Sequence, residues 1–545
     1  MANSTRPSRR AFLKASAAGA ATLAGLGIAR SAHAAGKQEI KIGMIGCGSR
    51  CGGAAEEALQ AGPDVKLAAM CDIFPDRLKF KYDWFKKNRP SQVIADRDHL
   101  FAGFDGYKKV IDSADVVLIA CASKFHPMYA EAAIRAGKHV FVEKPHGIDP
   151  LGVRRMQAAA RLAEQKNLSL LSGLQSRFSN GYRQAVQRIH DGAIGKVVAM
   201  QVMFLRGPYQ IVTRNPAYSE TQYQFSNWYH FRWLSGDDVT QSLVHNMDRA
   251  AWILHEEMPS WCFGLGGRSA SFGDAYGDMY DHHTVVYEYA SGPRVYALCR
   301  TQNHCYGNSG DIIMGTKGQC DLGNCRITGE TNWRFKDPHN NPYLDEQRVL
   351  IDAVRSGKPI NSGSYMAGST MSTVLGQLAC YTGQPLKWGD VAQLDFQFGP
   401  APEAANFDTP PPSKPDAAGN YPLPQPGVYD DPLKAGKDEK WLPVQIPNAG
   451  DAVPITVRPA EMIINIDQEG RCCIGDLPAS LHDVDLGLQR PRLAKQGKTS
   501  VTLRVDERCP WKFVSQIIDC CKKNKVAEYR VTTTKAVGDK AQGGR

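Results

Sequence analysis

No Cys-x-x-Cys occurs in this chain, although it carries 15 cysteines. Their odd number, irregular spacing and two vicinal pairs (Cys472–Cys473 and Cys520–Cys521) argue against a disulfide framework, a zinc ribbon or a dithiol redox centre. The thiols read instead as small buried hydrophobes, with Cys320 and Cys325 as sheet residues, and no metal site is expected. Long apolar runs are also missing: nothing after residue 35 is apolar enough over about 20 residues to span a bilayer. Charge of one sign is scarce too. The formal net charge is +10, and five basic residues (Arg6, Arg9, Arg10, Lys14, Arg30) lie in the first 34 residues, which hold no acidic one. The remainder is left with about +5, too little over such a length to suggest a nucleic-acid partner.

Those first residues read as an address. Ser8-Arg9-Arg10-Ala11-Phe12-Leu13-Lys14 precedes a weakly apolar run rich in Ala and Gly, and Ala32-His33-Ala34 offers a cleavage site. This pattern predicts a twin-arginine signal over residues 1–34, export by the twin-arginine machinery, and a periplasmic product, tethered to the membrane if the signal stays uncleaved.

The stretch around Gly46 carries the chemistry. Lys41 to Ile45 is a short β-rich run, Gly46-Cys47-Gly48-Ser49-Arg50 is a turn, and Ala54 to Leu59 reads as helix. A sharp turn at Gly46, a bare backbone at Gly48 and free N–H groups at the helix start suit a pyrophosphate. The third glycine of that pattern falls at Cys51, a departure. Strands and helices then alternate: strands at Val65–Cys71, Ala114–Ala120 and His139–Val142, with a helix at 126–136. Asp72 ends the second strand, 26 residues after Gly46, where a carboxylate takes the ribose hydroxyls and repels a 2′-phosphate; NAD is therefore expected over NADP. Lys144, in Glu143-Lys144-Pro145 at a strand's carboxyl end, faces the place where the nicotinamide would lie.

These motifs, with Lys124-Phe125-His126-Pro127, Ala136-Gly137-Lys138-His139-Val140-Phe141-Val142-Glu143-Lys144-Pro145 and Gly173-Leu174-Gln175-Ser176-Arg177-Phe178, resemble the glucose–fructose oxidoreductase/inositol dehydrogenase (Gfo/Idh/MocA) family. The resemblance runs from about residue 37 to 428. It implies an α/β fold: an N-terminal Rossmann domain (37–160), then an α+β substrate and oligomerisation domain (161–399) built on a large open, mainly antiparallel sheet. It implies a cofactor set of Gly46, Gly48, Ser49, Arg50, Asp72, Ser123, His126, Glu143, Lys144 and Arg177, and a homo-oligomer. Gly236 to Asp248 is similar to the family's catalytic helix, with Gln241, His245 and Asp248 at i, i+4 and i+7 and so on one face. His245 and Lys144 are the implied catalytic pair. Gln241 stands where the family commonly has a carboxylate, so it is expected to orient substrate rather than titrate. Asp248, Trp228 and Tyr343 complete the expected substrate contacts, Trp228 as an aromatic platform for a sugar ring.

Residues 400–426 hold nine of the chain's 32 prolines, which marks an extended strap, continuing as a linker to residue 453. Residues 454–536 read as a further small α+β domain, before a disordered tail at 537–545. Strands are expected at Met462–Asp467, Arg471–Ile474, Val501–Val505 and Glu528–Thr532, with a helix at Pro510–Lys523 whose inward face holds Trp511, Val514, Ile517 or Ile518, and Cys521. This segment resembles the periplasmic domain of ExbD/TolR proteins without their transmembrane helix, which leaves docking to an envelope protein as the implied role.

Three activities fit. The leading one is an NAD(H)-dependent oxidoreductase of a sugar or polyol, its cofactor tightly bound because an exported protein lacks a cytoplasmic NAD pool. The alternatives are glycoside cleavage through transient oxidation and elimination, and a non-catalytic envelope binding protein with a vestigial Rossmann domain.

Overall fold

A computed structural model describes residues 39–427, 461–474, 477–488, 500–506, 508–524, 526 and 528–534. The expected signal, most of the linker and the tail lie outside the described residues. The chain divides into two compact units, 1–437 and 438–545.

The first unit opens with a six-stranded parallel sheet in the order β3-β2-β1-β4-β5-β6. Its strands are β1 (Ile40–Ile45), β2 (Val65–Asp72), β3 (Leu100–Ala102), β4 (Val116–Ile119), β5 (His139–Val142) and β6 (Leu170–Ser172). The intervening helices are α1 (Ser49–Leu59), α2 (Pro75–Asn88), α3 (Gly106–Ser113), α4 (His126–Arg135) and α5 (Pro150–Gln165). Both faces are covered, so β1 and β4 read as near-continuous apolar runs, as parallel strands must. The order reverses beside β1, which puts a crevice beyond the carboxyl ends of β1 and β4. The expected boundary at 160 is corrected: it cuts α5, and the sheet continues to Ser172 because Leu170 and Leu171 are buried in it.

A nine-stranded sheet follows, in the order β14 (Trp333–Arg334), β13 (Arg326–Gly329), β12 (Gly318–Asp321), β11 (Asp311–Gly315), β7 (Val197–Arg206), β10 (Arg294–Thr301), β9 (His282–Glu288), β8 (Trp261–Gly267) and β15 (Leu386–Lys387). It is mainly antiparallel with one parallel pair, β7 beside β10. Strand β8 escapes the sequence pattern because three of its seven residues are glycine. The inner face packs on a long buried helix, Gly363–Thr382. The outer face leaves Trp261, Phe263 and Leu265 in solvent, Leu265 at 62%. Helix α6 (Pro342–Ser356) returns to the first sheet, where Leu350 and Ile351 join the core against α1.

The described residues of the second unit form a five-stranded sheet in the order β18 (Leu477–Ala479), β17 (Cys472–Ile474), β16 (Glu461–Ile466), β19 (Ser500–Asp506) and β20 (Glu528–Thr534). Strand β19, the helix Trp511–Lys523 and β20 make the expected βαβ crossover. Val514, Ile517 and Cys521 face inward, but Trp511 is 65% exposed, a correction: at the helix's first residue it lies beyond the sheet it was expected to cover.

Candidate active site

At the carboxyl ends of β1 and β2 the chain leaves an open groove lined by Gly46, Gly48, Asp72, Arg77 and Tyr107. Gly46 sits at φ +95°, and a Cβ there would meet the Ala120 carbonyl oxygen at 2.6 Å; only glycine fits. Gly48, which precedes α1, is the reverse case: a Cβ would meet nothing within 4 Å. The backbone above the α1 N-terminus is therefore bare, the room a pyrophosphate needs. Cys51 fits the third-glycine position because its thiol is fully buried and points at the Ile45 and Leu118 carbonyls, within the helix–sheet contact. Asp72 accepts from the backbone N–H of Cys47 (2.8 Å) and Phe74 (2.9 Å). Burial raises its pKa, and these two donors oppose the shift.

Across Ala120, Cys121 and Trp228, which line both, the groove adjoins a larger cleft of ≈ 480 Å³. Its size falls in the range of about 300–1,000 Å³ usual for small-molecule sites. Lys144 and His245 both line it, from different sheets' domains. The Lys144 ammonium donates to the Gln241 backbone carbonyl at 2.9 Å. His245 is held well below the usual imidazole pKa, first by burial and then by the Lys144 charge, so it stands as a neutral acceptor. Its Nδ1 is buried with no hydrogen-bond partner among the described residues. Arg50, His126, Glu143, Trp228 and Tyr343 line the same cleft. His126 is fixed between the Pro145 carbonyl (2.8 Å from Nδ1) and the Cys121 carbonyl (3.1 Å from Nε2).

Five expected site residues stand elsewhere. The predicted catalytic helix breaks at Ser242, whose hydroxyl is drawn to Asp238 (2.6 Å) and to the Arg206 guanidinium (2.9 Å). Gln241 and His245 therefore occupy two helices, Asp237–Gln241 and Val244–Ile253, and share no face. The Gln241 amide points away from the cleft, donating to Ser123 Oγ at 2.6 Å and the Ser235 carbonyl at 2.7 Å, so Ser123 is engaged there too. Its role is to hold the carbonyl that receives Lys144. Arg177 and Asp248 form a buried pair, with Nε 3.0 Å from both carboxylate oxygens and the guanidinium over the Tyr365 ring. Neither lines the cleft; they join helices instead. Ser49 is exposed at the start of α1 and does not line the groove.

Trp228 lines both spaces, but its ring stacks on Tyr229 (3.8 Å), Tyr229 on Tyr209 (4.1 Å), and Tyr209 under Arg206 (3.5 Å). Tyr229 thus covers one face of the Trp228 ring. Sequence reasoning missed Gln175, Arg206 and Tyr209 as lining residues. Gln175 follows β6 directly, so the rule that ligands lie beyond strand ends would have found it; Tyr209 carries no such signal.

Residues 40–172 match the Gfo/Idh/MocA model, an oxidoreductase family with an NAD-binding Rossmann fold. These residues form a Gfo/Idh/MocA NAD-binding domain. The chain is 26% identical over 334 residues to the myo-inositol 2-dehydrogenase of Thermotoga maritima, covering 59% of this chain and 90% of that protein. It is 27% identical over 205 residues to a glycosyl hydrolase family 109 protein of Saccharopolyspora erythraea, covering 36% and 40%. The aldose-aldose oxidoreductase of Caulobacter crescentus, solved with glycerol, shares the fold at a TM-score of 0.50 and 19% identity, over 64% of this chain and 100% of that one. The cofactor of the Gfo/Idh/MocA domain is NAD.

Proposed function

We propose that the cleft oxidises or reduces a carbinol carbon of a cyclic polyol or sugar, with Lys144 and His245 managing the hydroxyl proton. The observation that carries this is the convergence of an ammonium and a neutral imidazole on one cleft adjoining the glycine groove. The similarity to inositol 2-dehydrogenases supports the substrate class. Bound NAD supplies the hydride acceptor. The chain's residues do the rest. Gly46, Gly48 and the α1 N-terminus leave space and N–H donors for phosphates, and Asp72 offers acceptors to a ribose. Lys144, fixed by the Gln241 carbonyl, polarises the substrate oxygen, and His245, held neutral, accepts its proton.

The test is a polyol and sugar scan that follows reduced-nicotinamide absorbance, alongside mass spectrometry of nucleotide released from purified protein. Turnover of a cyclic polyol with bound NAD supports the reading; failure to bind either NAD or NADH would sink it. The twin-arginine pattern of residues 8–14 favours export to the cell envelope and, with it, a tightly held, non-exchanging cofactor. A second reading, glycoside cleavage with no net change in cofactor redox state, is favoured by the stretch similar to a glycosyl hydrolase family 109 protein. The solvent-facing Trp261, Phe263 and Leu265 on β8 favour a homo-oligomer closed over the large sheet, testable by light scattering. The second unit's ExbD/TolR-like pattern favours an envelope-protein partner, to be sought by crosslinking with and without residues 438–545.

A further inference from the structure

One guanidinium at the rim of the cleft faces three carboxylates. Arg50 Nε donates to Glu143 at 2.6 Å, its Nη2 lies 3.2 Å from Glu57, and the same nitrogen is 3.5 Å from Glu346 on α6. The three acids are not equal. Glu143 also accepts from the Lys144 backbone N–H at 3.1 Å, and the Glu57 side chain reaches solvent. Glu346 is fully buried, and neither of its oxygens has a hydrogen-bond partner among the described residues. Beside it, both amide atoms of the buried Gln347 and the Gln175 carbonyl oxygen are also unpartnered. One cation cannot neutralise three acids, two of them buried, and a buried carboxylate with no hydrogen-bond donor takes up a proton instead.

We propose that Glu346 is a positioning residue, carrying a proton when the cleft is assembled, and that its ionisation pulls Arg50 away from Glu143 and weakens dinucleotide binding. The charged groups facing it are Arg50 and Glu57 from α1 and Glu143 from the end of β5; Tyr343 on its own helix holds the Arg50 guanidinium from the other side at 4.6 Å. Burial and the Glu143 charge both push the Glu346 pKa up, in keeping with this assignment. The proton comes from solvent, and no other bond changes. When Glu346 ionises, a second negative charge competes for Arg50, which lies in the first turn of α1 below the bare glycine backbone. A negatively charged pyrophosphate is then repelled.

The inference rests on the cofactor reading only for its binding arm. Infrared difference spectra of the wild-type protein should show a protonated carboxyl band near neutral pH that Glu346→Gln removes and Glu346→Asp shifts. Fluorescence titration with NADH should show wild-type affinity falling by about threefold or more as pH rises through the range in which the Glu346 carboxyl band disappears, with E346Q flat over the same range. E346Q keeps the shape of the neutral acid, so its affinity near neutral pH should match wild type within about twofold. A wild-type spectrum without that band, or an E346Q profile parallel to wild type, overturns the proposal. Should E346Q fail to fold, the band and its shift in E346D decide. Loss of NADH binding at every pH in wild type would instead sink the cofactor reading and leave the infrared result standing.

Discussion

Arg50 and Glu143, 93 residues apart, meet at 2.6 Å and tie the first turn of α1 to the end of β5. The contact spans the mouth of the cleft, so the glycine turn and the Glu143-Lys144-Pro145 segment are held in register by one ion pair. Glu143 is almost wholly buried, whereas about a third of the Arg50 side chain reaches solvent. Removing one partner leaves a largely desolvated charge, which is more costly than losing the pair. R50M, which strands the buried Glu143 with only a backbone donor, should therefore lower the unfolding free energy by about 2–3 kcal/mol, while Glu143→Ala, which leaves the part-exposed Arg50 its Glu57 contact, should cost less; both should weaken NADH binding. Denaturant titration of the two variants checks the order.

The two glycines of the turn should fail in different ways. Gly46→Ala puts a Cβ at 2.6 Å from the Ala120 carbonyl oxygen, at a φ that side chains avoid, and should destabilise the fold by about 2 kcal/mol or more. Gly48→Val adds bulk where nothing lies within 4 Å, so melting should stay near wild type. Its side chain fills the phosphate space, and NADH affinity should fall at least about tenfold. Thermal melts and NADH fluorescence separate the two; equal melting losses would refute the assignment.

Among the described residues the Lys144 ammonium has one hydrogen-bond acceptor, the Gln241 carbonyl. K144M should keep NADH binding near wild type and lower kcat by about 10²–10⁴-fold, the usual worth of a positioned acid–base group. Single-turnover absorbance with saturating substrate measures this. A kcat within threefold of wild type would remove Lys144 from the chemistry.

Most of the first sheet was legible because buried parallel strands are short unbroken apolar runs, and β5 matches its expected limits. The large sheet was legible where alternation is clean, as in β10, and lost at β8, where glycines erase the pattern. Lys144 was legible from its place at a strand's carboxyl end, whereas His245 was paired with it only through the family resemblance; both line one cleft. Gln241 and Asp248 could not be excluded, because periodicity assumes an unbroken helix and the break at Ser242 depends on Asp238 and Arg206, a contact made in three dimensions. The returning helix α6 was invisible as part of the first core for the same reason: Leu350 and Ile351 meet α1 nearly 300 residues later.

Acid should unfold the protein through buried histidines rather than through its ion pairs alone. His146 is fully enclosed, with Nδ1 at 3.1 Å from Thr370 Oγ1 and Nε2 at 2.9 Å from Ser172 Oγ, and burial pushes its pKa down to about 3. Burial likewise lowers His230 to about 4. Both values lie below that of an unfolded histidine, about 6.5. The unfolded chain therefore binds these protons first, and the stability they contribute is complete above about pH 6.5 and is lost as pH falls toward the folded values. At about pH 5 each should cost roughly 2 kcal/mol. H146N, which cannot titrate there, should start less stable at neutral pH yet lose less on acidification. Denaturant midpoints measured between about pH 7 and about pH 5 test this; parallel slopes for wild type and H146N would show that His146 is not the group being titrated.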